Sequence, residues 1–213
     1  MKRNTDLDFI RAILIILMIL IHIVSFGNAY PQLKAGILSF MMPTFLIITG
    51  YLVNIEKTGR QMGNYLKCLA LPYVIMVTGF SVLSYYMPVR DGITELSLSQ
   101  ICEKIFVTSI GPYWFIQTMI ICGTLYYFCF RGRNWNDLRK NYTKRDTYAS
   151  LFVFALTLLL ISETPALSAS AAAYYFIGVV IRQSKTEWNK LFRHESFAII
   201  LWIYLLNHDD WYD

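Results

Sequence analysis

The chain has 213 residues, of which 56% are hydrophobic and 15% charged, with a net charge of +5. That is far too apolar for an ordinary soluble domain. The apolar runs are continuous rather than alternating, which argues against a transmembrane barrel and points to an all-α, polytopic bundle of transmembrane helices.

The runs predict spans at about 8–26, 36–54, 66–87, 112–130, 148–163 and 168–182, with a weak seventh at 196–206, so six or seven in all. The first follows a basic MKR start, as a secretory signal does. Arg11 interrupts its entry, however, and FGNAY is a poor cleavage site, so it reads as an uncleaved span. Gly27 and Pro31 mark the turn after it. The second run, FMMPTFLIITGYL, carries Pro43 and a small-residue break at Thr49 and Gly50, where two helices can approach closely.

Pro88, Gly92 and Gly111 bracket the longest connection on the outer side. Within it, Leu96, Leu98, Ile101, Cys102, Ile105 and Phe106 have helical spacing, which predicts a short amphipathic helix on the membrane surface. Tyr113, Trp114 and Phe115 then stand at the outer mouth of the fourth span, either as an aromatic belt or as a surface for a ligand ring. The last run, FAIILWIYLL, covers only about 15 Å as a helix, roughly half the hydrocarbon core. The expectation is one transmembrane domain over residues 1–213, incomplete at its C-terminal end.

Basic residues orient the spans. With the N-terminus cytoplasmic, only Lys34, Arg90 and Lys104 of the 19 Lys and Arg fall on the outer side. The net charge is therefore a topology signal and a set of lipid headgroup contacts, with no nucleic-acid surface required. Cys68, Cys102, Cys122 and Cys129 form neither a disulfide framework nor a metal spacing, and no metal site is expected.

The chemistry concentrates in DFIRAILIILMILIHIVSF, where Arg11 and His22 are eleven positions apart. On a continuous helix that is about 20° beyond three turns, so both point the same way, about 16 Å apart along the axis. Ionisable residues within a span are costly and usually have a task. An imidazole there can take a proton from a hydroxyl, and a guanidinium can hold phosphate with two parallel hydrogen bonds. The plainer readings are a positive-inside anchor for Arg11 and a packing role for His22. Asp8 lies close enough on the helix to pair with Arg11. No carboxylate sits within the body of spans two to six, which argues against ion-coupled transport.

Taken together, these segments resemble the acyltransferase 3 family of integral membrane acyltransferases. LDFIRAILIILMILIHI is similar to the family's first-helix motif at Arg11 and His22. PTFLIITGYL resembles its small-residue segment, with Thr49 where serine is common. YLKCLALPY resembles its basic entry to the third span, with Lys67 at the first basic place and Ala70 at the second. YWFI at 113–116 and YYFIGVVIR at 174–182 are similar to two later motifs in the same order. The resemblance implies O-acetyl transfer from cytosolic acetyl-CoA, a co-substrate rather than a bound cofactor, to a carbohydrate hydroxyl such as that of an exo- or surface polysaccharide. It implies His22 and Arg11 as catalytic residues, Arg11, Arg60 and Lys67 for acyl-CoA, and Tyr113 and Trp114 for the acceptor. The expected location is the cell membrane, as a multi-pass protein of the inner membrane. The rivals are a non-catalytic remnant or subunit and an exporter of saccharide or lipid.

Overall fold

The computed structural model describes residues 5–55, 57–87, 89, 91–130 and 144–184, and every regular element among them is helical. The apolar runs become α1 (Thr5–His22), α2 (Val24–Ala29), α3 (Pro31–Leu52), α4 (Gly59–Tyr86), α5 (Leu98–Phe106), α6 (Trp114–Phe130), α7 (Lys144–Ser162) and α8 (Ala169–Gln183). Pro31–Leu52, Gly59–Tyr86 and Gly111–Phe130 are long and apolar enough to cross a bilayer, and Asp146–Ser162 is a shorter apolar helix. The chain is an all-α membrane protein. The seventh predicted run, 196–206, lies outside the described residues, as does most of the basic connection after α6.

Several boundaries differ from the sequence expectation. The first helix stops at His22 rather than near residue 26, because Ile23 is extended (φ −71°, ψ 110°). Hydropathy cannot register this break, since the apolar run continues through it. α3 begins at Pro31, whose missing N–H and fixed φ suit a first helical position. Pro43 and the Thr49–Gly50 pair do not interrupt α3. The Thr44 and Thr49 hydroxyls instead donate to Phe40 O and Phe45 O, one turn back. α4 begins seven residues before the expected 66, at an N-terminus closed by a reciprocal cap. There Thr58 N–H donates to Gln61 Oε1 (2.9 Å) and Gln61 N–H to Thr58 Oγ1 (3.3 Å). α8, at 15 residues, is only about 22 Å long, short of a full hydrocarbon core.

Two compact units divide the chain, Met1–Tyr51 with Ile177–Asp213, and Leu52–Phe176. In the first, Leu7, Leu14 and Ile21 recur every seventh residue and form the buried stripe of α1. Ile37, Met41, Leu46 and Ile48 supply the buried side chains of α3. The first unit also takes in the last turns of α8, where Gly178 and Val179 are buried.

In the second unit α6 packs on both α7 and α4, and α5 lies on α4. Tyr126, Phe130, Phe154 and Phe176 form a chain of ring contacts, with centroids 4.8–6.4 Å apart. Tyr127 Oη donates to Lys57 O (3.1 Å), tying α6 to the segment before α4. The predicted surface helix is α5. Its Ile105 packs on Tyr73, Val77 and Ile110, while Leu98 and Phe106 are 77% and 71% exposed. An outer apolar edge of this kind suits contact with lipid.

The C-terminal end of α5 is held by polar side chains of its neighbours. Tyr73 Oη donates to Ile105 O (2.8 Å), and Gln117 Nε2 lies 3.2 Å from Phe106 O and 3.3 Å from Val107 O. These satisfy carbonyls that a helix end leaves without partners. Because Gln117 is buried, replacing it with leucine strands those carbonyls. The expected cost is about 1–3 kcal/mol, read as a lowered midpoint of thermal unfolding in detergent. An unchanged midpoint would mean that α5 is held by its apolar contacts alone.

Candidate functional site

α1 is unbroken from Thr5 to His22, so the predicted relation between Arg11 and His22 holds on a real helix. Both side chains are exposed. Arg11 lies about 40–60° from the stripe of Leu7 and Leu14, and His22 about 80–100° from Leu14 and Ile21. The two polar residues therefore border the buried seam rather than face away from it.

The ring of His22 is fixed by its own helix. Nδ1 is 2.7 Å from Met18 O. A carbonyl oxygen only accepts, so Nδ1 carries the hydrogen. In the neutral ring Nε2 then holds the lone pair, and among the described residues it has no partner. This is the tautomer a proton acceptor requires. The break at Ile23 places the ring on the last residue of α1.

Gly27, expected in a turn, sits instead inside α2 and is buried. Its missing side chain leaves room for Lys34. A Cβ on Gly27 would stand 3.2 Å from Lys34 Cδ, 3.4 Å from Lys34 Nζ and 3.3 Å from Ile21 O. The sequence marks Lys34 only as a charge on the outer side, and its approach depends on a glycine seven positions earlier, across a helix junction.

α3 and α8 meet closely within this unit. A Cβ on Gly178 would collide with the Ile47 carbonyl and lie 3.0 Å from Tyr51 N. The glycine of YYFIG is thus explained by backbone contact, and what faces it is the turn of α3 from Ile47 to Tyr51. Arg182, one turn further along α8, donates from Nη1 to Tyr51 O (3.1 Å), and its guanidinium lies 5.8 Å from the Tyr51 ring centre. It caps the carbonyl end of α3. Sequence reasoning treated it as a topology charge, because 131 residues separate the partners.

The other predicted residues belong to the second unit. The early start of α4 brings Arg60 and Lys67 onto one helix, both exposed. Seven positions is about 20° short of two turns, so they share a face about 10 Å apart. Lys57, just before the helix, lies with Nζ 4.1 Å from the centre of the Tyr65 ring. Tyr113 closes a 3₁₀ turn, Gly111–Tyr113, and Trp114 opens α6. Tyr113 is half-buried, packs on the Tyr73, Val77 and Ile110 cluster and meets Phe80 edge-on at 5.5 Å. Trp114 meets Phe115 edge-on at 6.2 Å. Phe80 lies about 30 Å along α4 from Arg60, so the basic pair and the aromatic pair occupy opposite ends of that span.

Two comparisons with known proteins cover nearly the whole chain. A family model described as an acyltransferase domain, Acyl_transf_3, matches residues 4–207. The nodulation protein NolL of Sinorhizobium fredii (strain NBRC 101917 / NGR234) is 27% identical over 216 residues, covering 93% of this chain and 54% of that protein. The chain thus spans about half the length of the curated relative it matches. No solved structure matches it.

Proposed function

This chain belongs to the acyltransferase 3 family, and on that premise we propose that it moves an acetyl group from cytosolic acetyl-CoA to a hydroxyl of a carbohydrate, such as an exo- or surface polysaccharide, at the cell membrane. The observation that carries this reading is the His22 ring. Its Nδ1–H is committed to Met18 O and its Nε2 is open, on the same side of α1 as Arg11.

In the proposed reaction Nε2 accepts the proton of the acceptor hydroxyl as the oxygen attacks the thioester carbonyl. The new C–O bond forms, the C–S bond breaks, and the proton passes to the CoA thiolate. The cation formed on His22 stands at the carbonyl end of α1, where the helix dipole favours positive charge. Arg11, about 16 Å back along the helix, takes CoA phosphate through paired N–H donors. The extended arm of CoA then runs along the side of α1 toward His22. In the second unit Arg60 and Lys67 form a basic face of their own at the capped N-terminal end of α4, suited to phosphate. Tyr113 and Trp114 of the same unit are proposed as a surface on which a sugar ring can stack.

The donor half of this reading is tested by acetyl-CoA titration of the purified protein and its Arg11→Ala variant. Loss of a charge-assisted pair weakens binding about 10- to 100-fold. Equal affinity in the two proteins would leave Arg11 as a topological anchor with no part in the reaction.

A further inference from the structure

Lys34 is a charged group of the first unit that the reaction above leaves unused. It lies in the first turn of α3, and only the short α2 separates that turn from the end of α1. Its ammonium and the carbonyl of Ile21, the residue before His22, both lie within 3.4 Å of one point above Gly27. The lysine thus reaches back over α2 to the end of α1 that carries the histidine.

Its surroundings are unusual for a lysine. The side chain is half-buried against a buried glycine. An ammonium offers three donors, yet among the described residues no hydrogen bond or ion pair engages it. A partly desolvated charge without a partner is costly and gains most when an anion arrives. The carbonyl end of α1 helps hold the cation in place, but it supplies no counter-ion.

We propose that Lys34 binds an anionic group, carboxylate or phosphate, on the carbohydrate acceptor, so that the hydroxyl to be acylated is presented to Nε2 of His22. This rests on the acyl-transfer reading of His22. It narrows the acceptor from any carbohydrate to one that carries negative charge near the acylated hydroxyl. The plain alternative is that Lys34 only steadies the end of α1, and that role is indifferent to the acceptor's charge.

The test compares wild type with Lys34→Gln and Lys34→Arg, using trigalacturonate, galactose 6-phosphate and the neutral galactotriose as probes. Binding is titrated for each, and acetyl transfer from acetyl-CoA is measured in parallel. The expected result is at least tenfold tighter binding of one or both anionic probes than of galactotriose. The better of the two identifies the anion. Lys34→Gln loses that preference and Lys34→Arg keeps it. Wild type without a preference, or a preference that survives in Lys34→Gln, overturns the proposal. If Lys34→Gln does not fold, Lys34→Met takes its place, with the same expected loss of preference and the same reading if the preference survives. Transfer that is equally good to all three probes removes the anionic acceptor and leaves the transferase reading standing. Lys34-dependent anion binding without transfer to any probe does the reverse.

Discussion

Replacing His22 with alanine is expected to lower acetyl transfer by about 10²- to 10⁴-fold, the usual contribution of a positioned general base, while acetyl-CoA binding is unchanged. The two effects separate because the donor's phosphates are assigned to Arg11 and not to the imidazole. Glutamine is the more demanding replacement. It can keep a hydrogen bond to Met18 O but offers no nitrogen lone pair, so it should be as inactive as alanine. Single-turnover transfer in detergent, with donor affinity measured beside it, reads both quantities. A Gln variant within tenfold of wild type would remove the proton-accepting role and leave the Met18 hydrogen bond as the residue's purpose.

The second large effect is at Gly178. Alanine there must displace α8 from α3, because the atoms in the way are the Ile47 carbonyl and the Tyr51 amide rather than the end of a flexible side chain. Overpacking against backbone should cost more than about 2 kcal/mol. It should also pull Arg182 away from the Tyr51 carbonyl it caps. The control is Gly79→Ala in α4, where nothing lies within 4 Å of the added carbon. That change should be neutral or stabilising by about 0.5–1 kcal/mol through helix propensity. Thermal unfolding of the two variants in the same detergent decides the matter. Equal midpoints would contradict the close α3–α8 contact.

The spatial relation of Arg11 to His22 could be read from the sequence because both belong to one continuous helix, and helical geometry alone sets it. The fold class was legible for a similar reason. Long apolar runs have few ways to satisfy their backbone except as helices. What escaped was set by groups distant in the chain or by details hydropathy does not carry. The stop at Ile23 lies inside an apolar run, yet it makes His22 a terminal residue and not one buried in mid-span. Gly27 looked like turn punctuation, although its effect is to admit Lys34. Arg182 looked like a sorting charge, although it holds a carbonyl 131 positions away. Tyr113 was assigned to a sugar ring, and the structure shows it half-buried against Phe80 and the Tyr73 cluster as well. The face of Arg60 and Lys67 was missed as a face because α4 starts seven residues earlier than its apolar run suggests.

Mutations rank the residues, whereas the reaction itself is tested on the wild-type chain. The measurement is transfer of radiolabelled acetyl from acetyl-CoA to trigalacturonate and galactotriose, by purified protein in liposomes, with free CoA thiol counted at the same time. The expected result is label in the carbohydrate as an alkali-labile ester, matched one for one by released thiol, and lowered about 100-fold or more with His22→Ala. A folded wild-type chain that binds acetyl-CoA yet releases no thiol and labels no acceptor would contradict the assignment of catalysis to His22.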